Sequence, residues 1–250
     1  MTYQMTVSPD FSPERMASWY IFNTWLQRQL NVAIHLELYP GFAEQHQAID
    51  ENRVDLIYAN PFDAALLVRE KGFTAVARPE AKPDEAVIIT RAENSIEHIE
   101  QLPPGIRIAT TAAPDVNLIG MMMLEPANLD AGNVGIQSYD GQMQLVRAVL
   151  RGDADIGFML AEAHDRLSEA VRKQLKVLVT SQISDIHHVL LAGSRCQPWQ
   201  EQLIQALVHM HDDAKGREVV EGLGLARWAA FSQEEAEFMI DLMDTLQAQP

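Results

Sequence analysis

The stretch NRVDLIYANPFDAALL, Asn52–Leu67, decides how the chain is read. Val54–Ala59 (VDLIYA) is a short, mostly apolar stretch of the kind that forms a strand. Proline cannot donate to a sheet but suits the first position of a helix, so the strand ends before Pro61 and a helix over Pro61–Lys71 begins there. Asn60, just ahead, can cap that helix. Strand, turn and helix follow one another within twenty residues, which is half of a βαβ unit.

The same alternation extends outward in both directions. Towards the amino terminus lie a helix over Phe42–Asn52, a strand over Ala33–Leu38 and a first strand, Tyr3–Ser8, broken by Pro9. Between the first two strands, Ser12-Pro13-Glu14 reads as a cap with proline at the first helical position. Met16, Trp19, Tyr20, Phe22, Asn23, Leu26 and Leu30 then form a stripe at helical spacing. Towards the carboxyl terminus, Phe73–Ala77 closes the first series as a strand. Arg78–Asp84 is polar and proline-bearing, a linker.

A second series then runs through strands Ala86–Thr90, Ile106–Thr110, Val134–Ser138, Asp155–Leu160 and Lys176–Thr180. Its helices are expected near Val116–Leu124 and over Gln142–Leu150 and Ala161–Gln174. Ser181–Asp185 and the apolar run Val189–Ala192 read as a return crossing. From Pro198 onward the pattern is helical only: Trp199–His211, Asp213–Leu223 and Ser232–Gln247, with Gly222-Leu223-Gly224 as a helix stop. The prediction is an α/β fold with parallel sheets in two lobes. Residues 1–80 and 186–250 form a discontinuous first lobe, 81–185 the second, and a helical tail ends the chain.

The sequence has 250 residues, 47% of them hydrophobic and 22% charged, enough for a sizeable core. Thirty-five acids against 19 bases leave a net charge of −16, which disfavours nucleic acid and anionic membranes as partners. A single cysteine, Cys196, rules out an intrachain disulfide or a CxxC site and reads as a small apolar filler. No run of 18 apolar residues is present, so no membrane insertion is expected. The start of the sequence lacks the basic and apolar regions of a secretory signal. The expected compartment is the periplasm if a leader has been removed from this sequence, and the cytoplasm if it is the native whole. No GxSxG, P-loop, HExxH or nucleotide-binding glycine pattern occurs, and no cofactor is expected.

Four segments carry a family resemblance: SPDFSPERM at Ser8–Met16, the opening stretch Asn52–Leu67, LRGDADIGFM at Leu150–Met159, and GREVVEGLGLARWAAFS at Gly216–Ser232. In this order they resemble a type II periplasmic solute-binding protein, more narrowly the phosphonate/phosphite-binding branch of the ABC-transporter substrate-binding proteins. The resemblance covers nearly the whole chain. It implies a monomer that closes by hinge motion on a small polar or anionic ligand in a cleft between lobes and delivers it to an ABC permease, without catalysis. The alternative is a ligand sensor of the same fold acting on a signalling partner; an enzyme on this scaffold ranks below both. Where phosphonate binders carry a Ser-Thr-Ser-Gly-like run, this chain reads Thr110-Thr111-Ala112-Ala113-Pro114-Asp115. Two hydroxyls are replaced by methyls, which opens the expectation to other oxyanions or carboxylates.

In open α/β sheets, ligands bind beyond the carboxyl ends of the strands, where helix amino termini offer free N–H groups. In the first lobe this selects Ser8, Asp10, Phe11 and Ser12 after the first strand, Tyr39 after the second, and Tyr58 with Asn60 at the third. In the second it selects Thr110, Thr111 and Asn117, then Tyr139 with Asp140, and Glu162 with His164 close by. His187 is expected at the hinge or lining the cleft. His187 and His188 are adjacent on an extended segment and point to opposite faces, so no metal is expected there. Met121-Met122-Met123 reads as core packing.

Overall fold

The computed structural model describes residues 2–11 and 13–247; Ser12, expected to cap the first helix, lies outside them. The chain divides into two compact units. One is Met1–Pro83 with His187–Met243, the other Asp84–Ile186 together with the chain's end from Asp244.

In chain order the first unit opens with β1 (Thr2–Val7), α1 (Met16–Leu30), β2 (Ala33–Leu36), α2 (Phe42–Asp50), β3 (Leu56–Ala59), α3 (Pro61–Lys71) and β4 (Thr74–Pro79). The second holds β5 (Ala86–Arg91), β6 (Arg107–Thr110), α4 (Pro114–Met122), β7 (Gly135–Ser138), α5 (Gln142–Arg151) and β8 (Ile156–Leu160). It continues with the short helices α6 (Ala161–Asp165) and α7 (Glu169–Arg172) and then β9 (Leu175–Thr180). The return to the first unit brings β10 (Val189–Ala192), α8 (Gln200–Val208), α9 (Ala214–Gly222), β11 (Trp228–Ala230) and, as far as Met243, α10 (Gln233–Gln247).

The first unit's sheet has the order β11-β4-β10-β3-β1-β2 and the second unit's β7-β6-β8-β5-β9. Strands belonging to successive strand–helix units run parallel, as β1 does with β2 and β3, and β6 with β7 and β8. The expectation of wholly parallel sheets is corrected. β10 lies antiparallel between β3 and β4, and β5 lies antiparallel between β8 and β9. The reason is topological: β5 carries the chain into the second unit and β10 carries it back, with no helix crossover to turn either into line.

Other boundaries also move. β11 is a strand inside the tail read as purely helical, and it pairs antiparallel with β4 at Trp228↔Pro79. That pairing draws β4 two residues into the segment read as linker. The helix expected over Ala161–Gln174 is two short helices interrupted at 166–168.

The core of the first unit forms where α1 and the tail meet the sheet. Trp19, Phe22, Leu26 and Leu30 are buried together with Leu203, Leu207, Val220 and Trp228. Met16 and Tyr20, read as part of the stripe, are 47% and 48% exposed, because the stripe turns away from the sheet at those positions. Cys196 is buried, and burial pushes its thiol up to about 12, as suits a packing residue. In the second unit α4 crosses β8 so closely that a Cβ on Gly120 would meet the Phe158 ring at 2.4 Å. Among the described residues no helix is long and apolar enough to cross a membrane.

Candidate ligand-binding site

In the first unit the loop after β1 meets the carboxyl end of β3. The Ser8 backbone N–H donates to the Tyr58 carbonyl at 2.8 Å, which holds the two strand ends side by side. Asn60 caps α3, its Oδ1 accepting from the Asp63 backbone N–H at 2.8 Å. Its Nδ2 donates to Asp63 Oδ2 at 2.8 Å and to Ser8 Oγ at 3.2 Å. Ser8, Asn60 and Asp63 are all buried. Asp63 also pairs with His46 of α2, its Oδ1 2.7 Å from Nε2. That hydrogen bond raises the His46 pKa; burial works against it, and the charges of Asp63 and Asp50 add to it.

Asp10, two residues on from Ser8, faces His188: its carboxylate oxygens lie 3.1 and 3.2 Å from His188 Nε2. Burial pushes the Asp10 carboxyl up, but the charge and hydrogen bond of His188, the Ser8 hydroxyl and a backbone N–H together hold it below the usual carboxylate range. The His188 ring stacks on Tyr58 with centroids 5.3 Å apart. Tyr58 in turn packs against Trp19 at 5.0 Å and edge-on to Trp228 at 5.8 Å. His188 thus joins a buried carboxylate to an aromatic wall at this edge.

The structure therefore brings Ser8, Asp10, Tyr58 and Asn60 into one network. Phe11 is half-buried against the core of the same unit. Tyr39 belongs to a different, surface network, its hydroxyl donating to Glu37 at 3.2 Å and accepting from Arg53 at 3.2 Å. His187 packs edge-on to Phe231 at 5.1 Å, so the two adjacent histidines do serve different surroundings. A pocket of about 410 Å³ in this unit is lined by Thr2, Gln4, His35, Glu37, Arg53 and Arg195, and shares no residue with the network. Its arginines are engaged, Arg195 with Asp55 and Arg53 with Glu51.

The second unit builds its edge mostly from hydroxyls and amides, with one buried acid. The Tyr139 backbone N–H donates to the Thr110 carbonyl at 2.8 Å, extending the β6–β7 ladder to the strand ends. Asn117, on the second turn of α4, reaches back to the turn: its Nδ2 donates to the Thr111 carbonyl at 3.0 Å and its Oδ1 accepts from the Thr110 hydroxyl. Thr110 and Thr111 are buried, while Asn117 and Tyr139 are half-buried. Asp115 is buried in the first turn of α4, where the helix dipole favours an acid. Glu162 lies apart on α6, paired with Arg166 one turn on.

Sequence reasoning passed over Asp63, His46 and the partnership of His188 with Asp10. Asp63 had a signal: Asn60-x-x-Asp63 is the spacing of a capping box. The Asp10–His188 pair had none, since 178 residues separate its members.

Solved structures place this architecture. PhnD1 from Prochlorococcus marinus in complex with methylphosphonate superposes with a TM-score of 0.83 at 11% identity, covering 99% of both chains. A binding protein component of an ABC phosphonate transporter from Pseudomonas aeruginosa gives 0.75 at 15% identity, over 99% of this chain and 89% of that one. The alkanesulfonate-binding protein SsuA from Xanthomonas axonopodis bound to MOPS gives 0.67 at 13%, over 100% and 94%. The fold is that of the two-lobed periplasmic binding proteins. No curated protein matches the chain in sequence. The family described as "ABC transporter, phosphonate, periplasmic substrate-binding protein" matches residues 5–236, and the chain belongs to it. It is a substrate-binding protein of that transporter family.

Proposed function

We propose that the protein captures a small solute bearing an oxyanion, a phosphonate-like group or another oxyanion or carboxylate, and passes it to an ABC permease as a monomer and without chemical turnover. The family match over residues 5–236 carries this reading. Two features of the strand ends support the ligand class. Thr110 and Thr111 put hydroxyls at the start of α4, where helix N–H groups favour an anion. In the first unit, His188, paired with Asp10, brings an imidazole beside Tyr58 at the strand ends. Phosphonate and sulfonate groups share a tetrahedral array of oxygens, and structural relatives are described with one or the other. Ala112 and Ala113 remove hydroxyls that phosphonate binders in the family carry, so a ligand with fewer acceptors on that side fits best.

The test is a thermal-shift screen over methylphosphonate, phosphite, alkanesulfonates, carboxylates and amines. A ligand at 100 times its dissociation constant adds about 2.7 kcal/mol of stability, a shift easily read. Tyr58→Phe keeps the packed ring and removes the hydroxyl; Thr111→Val removes a hydroxyl in the second unit. Each is expected to shrink the shift given by the best oxyanion while leaving the melting temperature without ligand within a few degrees. Full ligand response in both variants would overturn the assignment of these edges.

A further inference from the structure

The segment Leu223–Arg227, between α9 and β11, offers three of its backbone carbonyls to residues far away in the chain. The Arg15 guanidinium donates to the Leu223 carbonyl, Lys82 Nζ to the Gly224 carbonyl at 3.3 Å, and the Glu80 backbone N–H to the Arg227 carbonyl at 3.0 Å. The Arg227 side chain answers in the other direction. Its guanidinium takes both carboxylate oxygens of Glu80, Nε on Oε2 and Nη2 on Oε1, the second at 2.6 Å. Such a fork fixes direction as well as charge. β11 continues the contact as a ladder, with Trp228 opposite Pro79 and Ala229 opposite Arg78.

Closing the end of α9 does not need these partners. With Gly224 at φ 73, the Leu225 N–H donates to the Val220 carbonyl and the Gly224 N–H to the Glu221 carbonyl, which completes the helix stop from within. Arg15 and Lys82 come in addition, to carbonyls at the negative end of the helix dipole. Nor does the ion pair act alone. The Glu80 and Arg227 side chains are 37% and 48% exposed, so an isolated pair there would contribute little. The grip comes from the fork, the backbone bond, Lys82 and the ladder acting on one short stretch.

That stretch is strained. Ala81, between the gripped residues Glu80 and Lys82, is exposed and has φ 49, in the left-handed region that a residue with a Cβ rarely adopts. An exposed alanine stays there only where its neighbours hold it. Two residues on, Pro83 ends the first unit along this connection and Asp84 begins the second, its N–H donating to the Ile186 carbonyl at 2.8 Å. We infer that Leu223–Arg227 is a strap over the first connecting segment: it holds Glu80, Ala81 and Lys82 to the first unit in one conformation, so that the chain pivots only from Pro83 onward. Arg227 is then a positioning residue for ligand capture. Its bearing on affinity rests on the function proposed above; the hold on Ala81 does not.

The experiment compares thermal melts of the full chain as wild type, Ala81→Gly, Arg227→Gln and the double variant. Glycine adopts a positive φ readily, so Ala81→Gly is expected to raise the melting temperature by about 2 °C while the strap imposes that conformation. Arg227→Gln lets the segment leave it, and in that background Ala81→Gly is expected to give no rise, since only the greater freedom of glycine in the unfolded chain remains. No rise in the wild-type background, or an equal rise in both, overturns the inference. Calorimetry with methylphosphonate reads the consequence for binding. Arg227→Gln, outside both strand-end edges, is expected to weaken binding by about threefold or more, because the connecting segment is less ordered beforehand. Unchanged affinity in that variant overturns the positioning role. A wild-type protein that does not bind methylphosphonate contradicts the proposed ligand class, and the melts then decide the strap by themselves.

Discussion

The two units use the same rule to place polar groups and different chemistry to hold them. In both, parallel strands end where helices begin, and a side chain from the following helix or its cap reaches back to fix the turn: Asn60 in the first unit, Asn117 in the second. The first unit then surrounds its turn with buried ionisable groups, Asp10, Asp63 and His188. The second uses threonine hydroxyls and amides, with Asp115 alone buried at the helix start. The first edge gathers several titratable groups; the second sets hydrogen bonds that do not titrate beside a single buried acid. The difference teaches that a shared fold fixes where the groups sit, and that each unit's loops choose how they respond.

The comparison breaks or sharpens under substitution. Largest is the loss of Trp228, which is 1% exposed and packs on Phe22 and Tyr58. Trp228→Ala should cost about 3–5 kcal/mol in urea unfolding. Gly120→Ala, its counterpart in the second unit, forces a methyl against Phe158 and should cost about 1–3 kcal/mol. Two separate unfolding transitions, each moved by one variant alone, would show that the units melt independently; a single shared transition would show that they do not.

Next come the turn residues. Asn60→Ala removes a helix cap and strands donors and acceptors inside the charged edge, and should cost about 2 kcal/mol. Asn117→Ala should cost about 1 kcal/mol, because the neutral turn leaves fewer buried groups without partners. Equal losses would remove the distinction between the two edges.

The smallest effect has a sign. The folded state raises the His46 pKa, so the stability it contributes is complete below the ordinary histidine value of about 6.5 and disappears as pH rises through the raised value. Asp10 runs the other way: its folded value is lowered, so its contribution is complete above about 4 and is lost in acid. The difference in melting temperature between wild type and His46→Gln should therefore be greatest on the acid side of pH 6.5 and close as pH rises. A difference that grows with pH would contradict the assignment of His46 to Asp63.

Much of this was legible in the sequence where the signal is local. The Asn60-Pro61 junction marked both the end of β3 and the cap of α3, and the stripe from Trp19 to Leu30 marked the buried face of α1. What escaped depends on distant partners. Nothing in VLLA at Val189–Ala192 says that it inserts antiparallel between β3 and β4, and β11, at three residues, is too short to show a period beside Gly224 and α10. At the site, Ser8, Asp10, Tyr58 and Asn60 were reachable because each follows a strand. Tyr39 also follows one, but Glu37 and Arg53 draw its hydroxyl to the surface. His188 looked like one member of a histidine pair, and only the fold supplies Asp10.

Isothermal calorimetry of the full chain with methylphosphonate and with methanesulfonate tests the central claim most directly. The account predicts saturable one-to-one binding of at least one of them, weakened by Thr111→Val. Flat titrations for both at millimolar concentration, from a protein that melts cooperatively, would contradict it.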